Sequence, residues 1–162
     1  MHYMTNMEYK KIFIDTNIIL EYFMQREEFL VAEKLMEELH QQHCQMVMSA
    51  GGFYTIIFLF DKHIRKEGGL SGENRIKALR SLMRQILMAF TVAKQDNNSL
   101  SKGIEDMDYK DLEDACQYHL AEEMECQYML TFNIDDFPKA PSSHSIPVLT
   151  PKQYLSLLEG KE

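Results

Sequence analysis

Five short apolar runs, each too brief for a helix of its own, alternate along this chain with longer segments of helical periodicity. That alternation limits the fold more than any other feature. The runs are Lys10 to Ile14, CQMVMSA from Cys44, Thr91 to Ala93, QYMLTFN from Gln127, and Pro147 to Leu149. Each reads as a buried strand. The segments between them read as helices, because apolar residues recur there every three or four positions. They cover Ile18 to Met24, about Glu28 to Gln41, Phe53 to Ile64, Ile76 to Phe90, a weaker stretch from Leu100, and Leu112 to Met124. A last helix opens at Pro151 with Thr150 as its cap, the place proline tolerates best. Thr16 or Asn17 is placed to cap the first helix, and Ser49 the third. KQDNNS and KEGGLSGEN read as breaks. Strands alternating with helices predict an α/β fold, a three-layer α/β/α sandwich on a mostly parallel sheet with right-handed crossovers.

At 162 residues the chain predicts a single domain, 1–162, with a core over about 11–158 and residues 1–9 as a flexible N-terminal extension. No apolar run approaches the roughly 20 residues of a membrane span, which argues against a membrane partner. The opening MHYMTNMEYK lacks the apolar stretch of a secretory signal. Three cysteines, Cys44, Cys116 and Cys126, without CxxC spacing, predict free thiols in a cytoplasmic protein. A net charge of −8 argues against holding nucleic acid by bulk electrostatics. It leaves room for a site that grips phosphate through a metal ion.

In parallel sheets functional groups collect beyond the carboxyl ends of strands. Asp15, in KKIFIDTNIIL, follows the first strand at such a place. DYKDLEDACQ sets Asp111 and Asp114 three apart, on neighbouring surface of one helix. MLTFNIDDF sets Thr131, Asn133, Asp135 and Asp136 just past another strand. Were Asp15, Asp114 and Asp136 to converge, their repulsion would keep protons on some of them unless a cation sat between. Oxygen-only ligands suit Mg²⁺ or Mn²⁺ rather than zinc. Such an ion bridges phosphate oxygens and activates water, with Thr16, Asn17 and Asn133 orienting the ligands. Each acid also has a plainer explanation. Asp15 could be an N-cap, Asp111, Glu113 and Asp114 first-turn acids, and Asp135-Asp136 a solvated turn. Their joint order along the chain is the signal.

IFIDTNIIL, DLEDACQYHLAEEMECQYMLTFNIDDF and IPVLTPKQYL together resemble the PIN domain, the nuclease fold of VapC-type toxins of bacterial toxin–antitoxin pairs. The likeness runs from about Lys11 to Leu158. It implies a Mg²⁺- or Mn²⁺-dependent endoribonuclease, with RNA as substrate, an antitoxin protein as partner and a homodimer as its assembly. It also implies that Asp15, Asp114 and Asp136 hold the metal. Asn133 matches the polar position of the family's T-x-N motif, which begins here at Thr131, and Asp111 an accessory acid. Two positions depart from the pattern. Thr55 stands where the family usually has a carboxylate, six residues after Ser49, and Phe132 stands where Arg is favoured. These departures point to the alternative, a protein of the same fold that binds RNA or a protein partner without cutting. A haloacid-dehalogenase-like phosphatase also opens with a strand and an Asp, but needs a second acid at Asn17, which cannot donate the proton.

Other features carry plainer meanings. His40, His43 and Cys44 read as polar residues at a helix end, His119 as a packing residue, and the twelve methionines as core filling. Lys62, His63, Arg65 and Lys66 form the densest basic cluster, which Arg75, Lys77, Arg80 and Arg84 extend. That cluster is either a solvated helix end or a surface for RNA phosphates.

Overall fold

A computed structural model describes residues 9–139 and 146–160. The extension expected over 1–9 lies outside the described residues except for Tyr9, and so do residues 140–145 of the loop before the last strand. Five strands form one parallel sheet in the order β3-β2-β1-β4-β5. They are β1 (Lys11–Ile14), β2 (Gln45–Ser49), β3 (Phe90–Ala93), β4 (Tyr128–Leu130) and β5 (Val148–Leu149). The helices are α1 (Thr16–Phe23), α2 (Phe29–Gln41), α3 (Ala50–Lys66), α4 (Gly72–Ala89), α5 (Asn97–Glu105), α6 (Leu112–Glu123) and α7 (Pro151–Leu158). One 3-10 turn covers Ile134–Asp136.

The three-layer arrangement follows from the pleat of the central strand. Ile12 and Ile14 of β1 enter one core with Ile18, Leu35, Ile56, Ile86 and Tyr154, from α1 to α4 and α7. Phe13 between them enters a second core with Val47, Tyr118, Leu120, Met129 and Phe137. Successive residues of a strand face opposite sides, so one four-residue segment binds both helical layers to the sheet. All three residues are fully buried, which is why the run reads as continuously apolar.

Caps explain where the helices begin. Ser49 Oγ accepts a 2.9 Å bond from the Gly52 amide, as its place after β2 predicts. At α7, Thr150 and Gln153 form a reciprocal capping box. α5 opens at Asn97, inside the segment expected to be loop, because Asp96 accepts the Ser99 amide at 3.0 Å. At α1 the expected cap is corrected. Neither Thr16 nor Asn17 caps; Asp15 holds the N-cap position, and its side chain makes no capping bond. Its carboxylate is committed elsewhere.

Two glycines permit close approaches that bear on the site. A Cβ on Gly52 would stand 2.4 Å from Thr16 Oγ1, so the first turn of α3 lies against the first turn of α1. A Cβ on Gly103 would stand 2.8 Å from Cys116 Cα and 2.9 Å from its backbone nitrogen, so α5 and α6 approach backbone to backbone there.

Candidate active site

β1 sits at the point where strand order reverses. β2 and β3 lie to one side of it, β4 and β5 to the other. A crevice opens at such a switch point, beyond the carboxyl ends of the strands. Ile14 pairs with Leu130, so the next residues, Asp15 and Thr131, emerge side by side. The Asp15 amide donates to the Leu130 carbonyl at 3.0 Å, and the Thr131 amide to the Leu149 carbonyl at 3.0 Å. The backbone of three strands therefore fixes both side chains.

Thr131 is fully buried and Asp15 is 4% exposed. The Thr131 hydroxyl donates to Asp15 Oδ2 at 2.8 Å and accepts the Asn133 amide at 3.0 Å. Asn17 Nδ2 reaches the same carboxylate oxygen at 3.1 Å and Thr131 Oγ1 at 3.2 Å. Asn17 Oδ1 accepts the Phe132 amide at 3.2 Å. D-T-N after β1 and T-F-N after β4 are thus laced into one network, and Thr131 is its centre. Phe132, at the position where the resemblance favours Arg, packs against the α1–α4 core instead.

α6 brings the second group of acids. Asp111 is its N-cap and accepts the amides of Glu113 at 2.9 Å and Asp114 at 3.1 Å. Its carboxylate anchors the helix start that presents Asp114. Burial raises the Asp114 carboxyl to about 7, helped by the charges of Asp15, Asp111, Asp136 and Glu113. Burial also raises Asp15, against the lowering bonds from Thr131, Asn17, Thr16 and Gln117. Asp136, at the end of the 3-10 turn, is exposed and lies within electrostatic reach of Asp114. Asn133 is exposed just before that turn.

Two residues join the site that sequence reasoning left out of it. Glu113 is raised first by desolvation, then by the charges of Asp15 and Asp111, so a further carboxylate lies within electrostatic reach of Asp15. Thr55, where the resemblance expects that acid, is half-buried on the second turn of α3. Gln117, 4% exposed, is among the groups that lower Asp15, while its Oε1 is buried and meets no donor. Gln117 follows Glu113 by four residues and Asp114 by three, which sets it on neighbouring helix surface, but that spacing alone marks neither Glu113 nor Gln117 as a neighbour of Asp15.

The donor set suits a hard divalent cation. It is made of oxygen alone, the carboxyls of Asp15, Glu113 and Asp114 hold protons more tightly than usual, and no basic group stands among the main influences on them. Among the described residues, though, no three His, Cys, Asp or Glu side chains are gathered into a ready-made metal-ligating group. The acids interact electrostatically without yet closing on one point.

The raised carboxyl gives a test in the metal-free protein. Asp114 titrates at about 7 when folded and at about 3.9 when unfolded, so the folded state binds its proton more tightly. Its contribution therefore favours folding below about pH 4 and is lost as pH rises through 7. Asp114→Asn removes that loss. In EDTA at pH 8 the variant is expected to be more stable than wild type by about 1–2 kcal/mol, less than the full shift because the carboxyl stays partly solvated. That is about 3–6 °C in Tm, and the gap should close toward pH 4.

With this geometry in view, the class is an α/β sandwich with a set of coupled acids beyond the strand ends at its switch point. A family model of the PIN domain matches residues 11–135, and the chain belongs to that family. A search of curated proteins finds no match. Among solved structures, a toxin–antitoxin complex from Klebsiella pneumoniae has a chain that superposes with a TM-score of 0.60. The two are 20% identical, over 86% of this chain and 97% of that one. At that identity the likeness supports the fold alone.

Proposed function

We propose that residues 1–162 form one PIN-type domain that acts as a metal-dependent endoribonuclease, the toxin of a toxin–antitoxin pair in the cytoplasm. The observation that carries this reading is the electrostatic coupling of Asp15, Glu113, Asp114 and Asp136 at the switch point, with no basic group among the main influences on the first three. Asp15, Asp114 and Asp136 are the residues proposed to hold Mg²⁺ or Mn²⁺. Glu113 supplies the carboxylate that is absent at Thr55. A divalent ion in such a place polarises the phosphodiester and activates a water for hydrolysis. The chain's own residues do the rest. Thr131 and Asn17 hold the Asp15 carboxylate in one orientation. Asp111 fixes the first turn of α6 beneath Glu113 and Asp114. Asn133, exposed just before the 3-10 turn, is the residue proposed to meet the RNA. Single-stranded or looped RNA fits best, because its backbone is accessible.

The Klebsiella protein is solved in a toxin–antitoxin complex. An antitoxin of this chain would cover the crevice and set a basic side chain among its acids, since that would offset their repulsion. Three cysteines free of disulfides agree with a reducing compartment. Among the described residues no helix is long and apolar enough to cross a membrane.

The test is hydrolysis of a fluorogenic single-stranded RNA with Mn²⁺ and with EDTA. Cleavage with Mn²⁺ alone supports the nuclease. RNA binding without cleavage in either condition would replace it with the non-cutting reading, which the threonine at position 55 and the open spacing of the acids favour.

A further inference from the structure

The basic cluster noted in the sequence finds a place in the fold that the acid site does not use. Tyr54, Phe58, Lys62 and Lys66 follow one another at four-residue spacing along α3, about 6 Å apart along its axis. All four are exposed, and the two rings conspicuously so, at 71% and 68%. The helix that carries the stripe starts near the acids, because its first turn at Gly52 lies against Thr16, the neighbour of Asp15. Tyr54 leaves from nearly the opposite side of that turn, and the stripe winds round the helix from there. It ends in a cleft of about 470 Å³ between α3 and the α1–α2 connection, where Arg26 faces Lys62 and Lys66. From Gly52 to Lys66 the path is about 21 Å long.

Between Leu59 and Arg84 stand seven Lys and Arg side chains and three carboxylates, in a protein of net charge −8. Asp61 is shared by Arg65, at 3.0 Å, and Arg75. Glu73 takes Lys77, and Glu67, the acid of the cleft, takes His63 at 3.2 Å. Among the described residues Arg26, Lys62 and Lys66 have no such partner. An aromatic stretch running into free lysines is the pattern of a single-strand platform, in which bases stack on rings and cations follow the phosphates. A protein interface would be expected to deplete lysine at such a place.

We infer that the Tyr54–Phe58–Lys62–Lys66 stripe of α3, ending at Arg26, is a track for single-stranded RNA that extends from the acid crevice. The track rests on the reading of the protein as acting on RNA. Bases stack on Tyr54 and Phe58 near the crevice, and phosphates reach Lys62, Lys66 and Arg26 beyond.

Binding of a 5′-fluorescein-labelled 12-nucleotide single-stranded RNA to the full chain in EDTA, followed by anisotropy across a salt series, tests this without any cleavage. Lys62→Gln with Lys66→Gln should weaken binding about tenfold or more at low salt and flatten the salt slope by about 0.7 per lost phosphate contact. Tyr54→Ala with Phe58→Ala should weaken it at least about tenfold with the salt slope unchanged, since stacking releases no counterions. Wild-type affinity in both variants, or no RNA binding by wild type, overturns the track. So does a loss of self-association in the ring variant with RNA affinity unchanged, which would make this face a contact between copies. The nuclease reading stands or falls separately. Mn²⁺-dependent cleavage that persists while both variants bind normally would keep it and discard the track. Track binding in EDTA without cleavage in Mn²⁺ would do the reverse.

Discussion

Asp15→Asn is expected to lower Mn²⁺-dependent RNA cleavage by about 100- to 1,000-fold, the usual effect of removing one aligned electrostatic group from a reacting centre. The substitution keeps the shape of the side chain, removes its charge and replaces one acceptor oxygen by an NH2 donor. The Thr131 hydroxyl still has an oxygen to meet, so the buried network does not lose a partner outright. Burial already disfavours the charged form of Asp15, so the metal-free variant should melt at or above the wild-type temperature. Loss of cleavage joined to an unchanged or raised Tm is therefore the expected pair. A drop in both would mean that Asp15 serves the fold. Full activity in a stable variant would remove it from the site.

The second large effect concerns stability. Gly103→Val is expected to destabilise the protein by about 3 kcal/mol, or about 6–12 °C in Tm. The first atom of any side chain at this position meets Cys116 at its Cα and its backbone nitrogen, within 2.9 Å. Backbone cannot rotate aside, so α5 and α6 must separate. α6 carries Glu113 and Asp114, and the separation should weaken Mn²⁺ binding as well as folding. The position opposite, Gly52, differs in kind. There the nearest atom is the hydroxyl of Thr16, at the far end of a short side chain. Thermal melts followed by circular dichroism check the expectation, and a Gly103→Val protein as stable as wild type would refute the contact.

Much of this architecture was legible in the chain because each strand is buried on both faces. Ile12, Phe13 and Ile14 have to be apolar in succession, since they feed two separate cores. Ser49 and Thr150 announced their helices because local capping chemistry alone decides those boundaries. Asp96 was missed for a related reason. KQDNNS is polar enough to be a loop, and only the bond to the Ser99 amide makes it a helix start. The N-terminus of α1 misled in the opposite direction. Thr16 and Asn17 are good caps by type, but Asn17 turns instead to Asp15 and to Phe132, the latter across 115 residues of chain.

The candidate site was half visible. Asp15, Asp114, Asp136, Asn17, Asn133 and Thr131 stand out because each follows a strand or opens a helix. Glu113 did not, because an acid in the first turn of a helix is expected on dipole grounds alone. Nothing local marks it as a neighbour of Asp15. Gln117 was hidden in the same way, as a polar residue on a helix whose burial depends on what packs against it. Both facts are properties of the β1–α6 approach, and no single segment carries them.

The most direct test of the site is calorimetric titration of Mn²⁺ at pH 7 in two buffers of different ionisation heat. With Asp114 titrating at about 7, a large share of its carboxyls are protonated before the ion arrives, so binding must release protons. Saturable binding with buffer-dependent heat in wild type, lost in Asp15→Asn and Asp114→Asn, is the predicted result. Binding that is independent of buffer and unchanged in both variants, or no binding at all, would contradict the assignment of these acids to a metal.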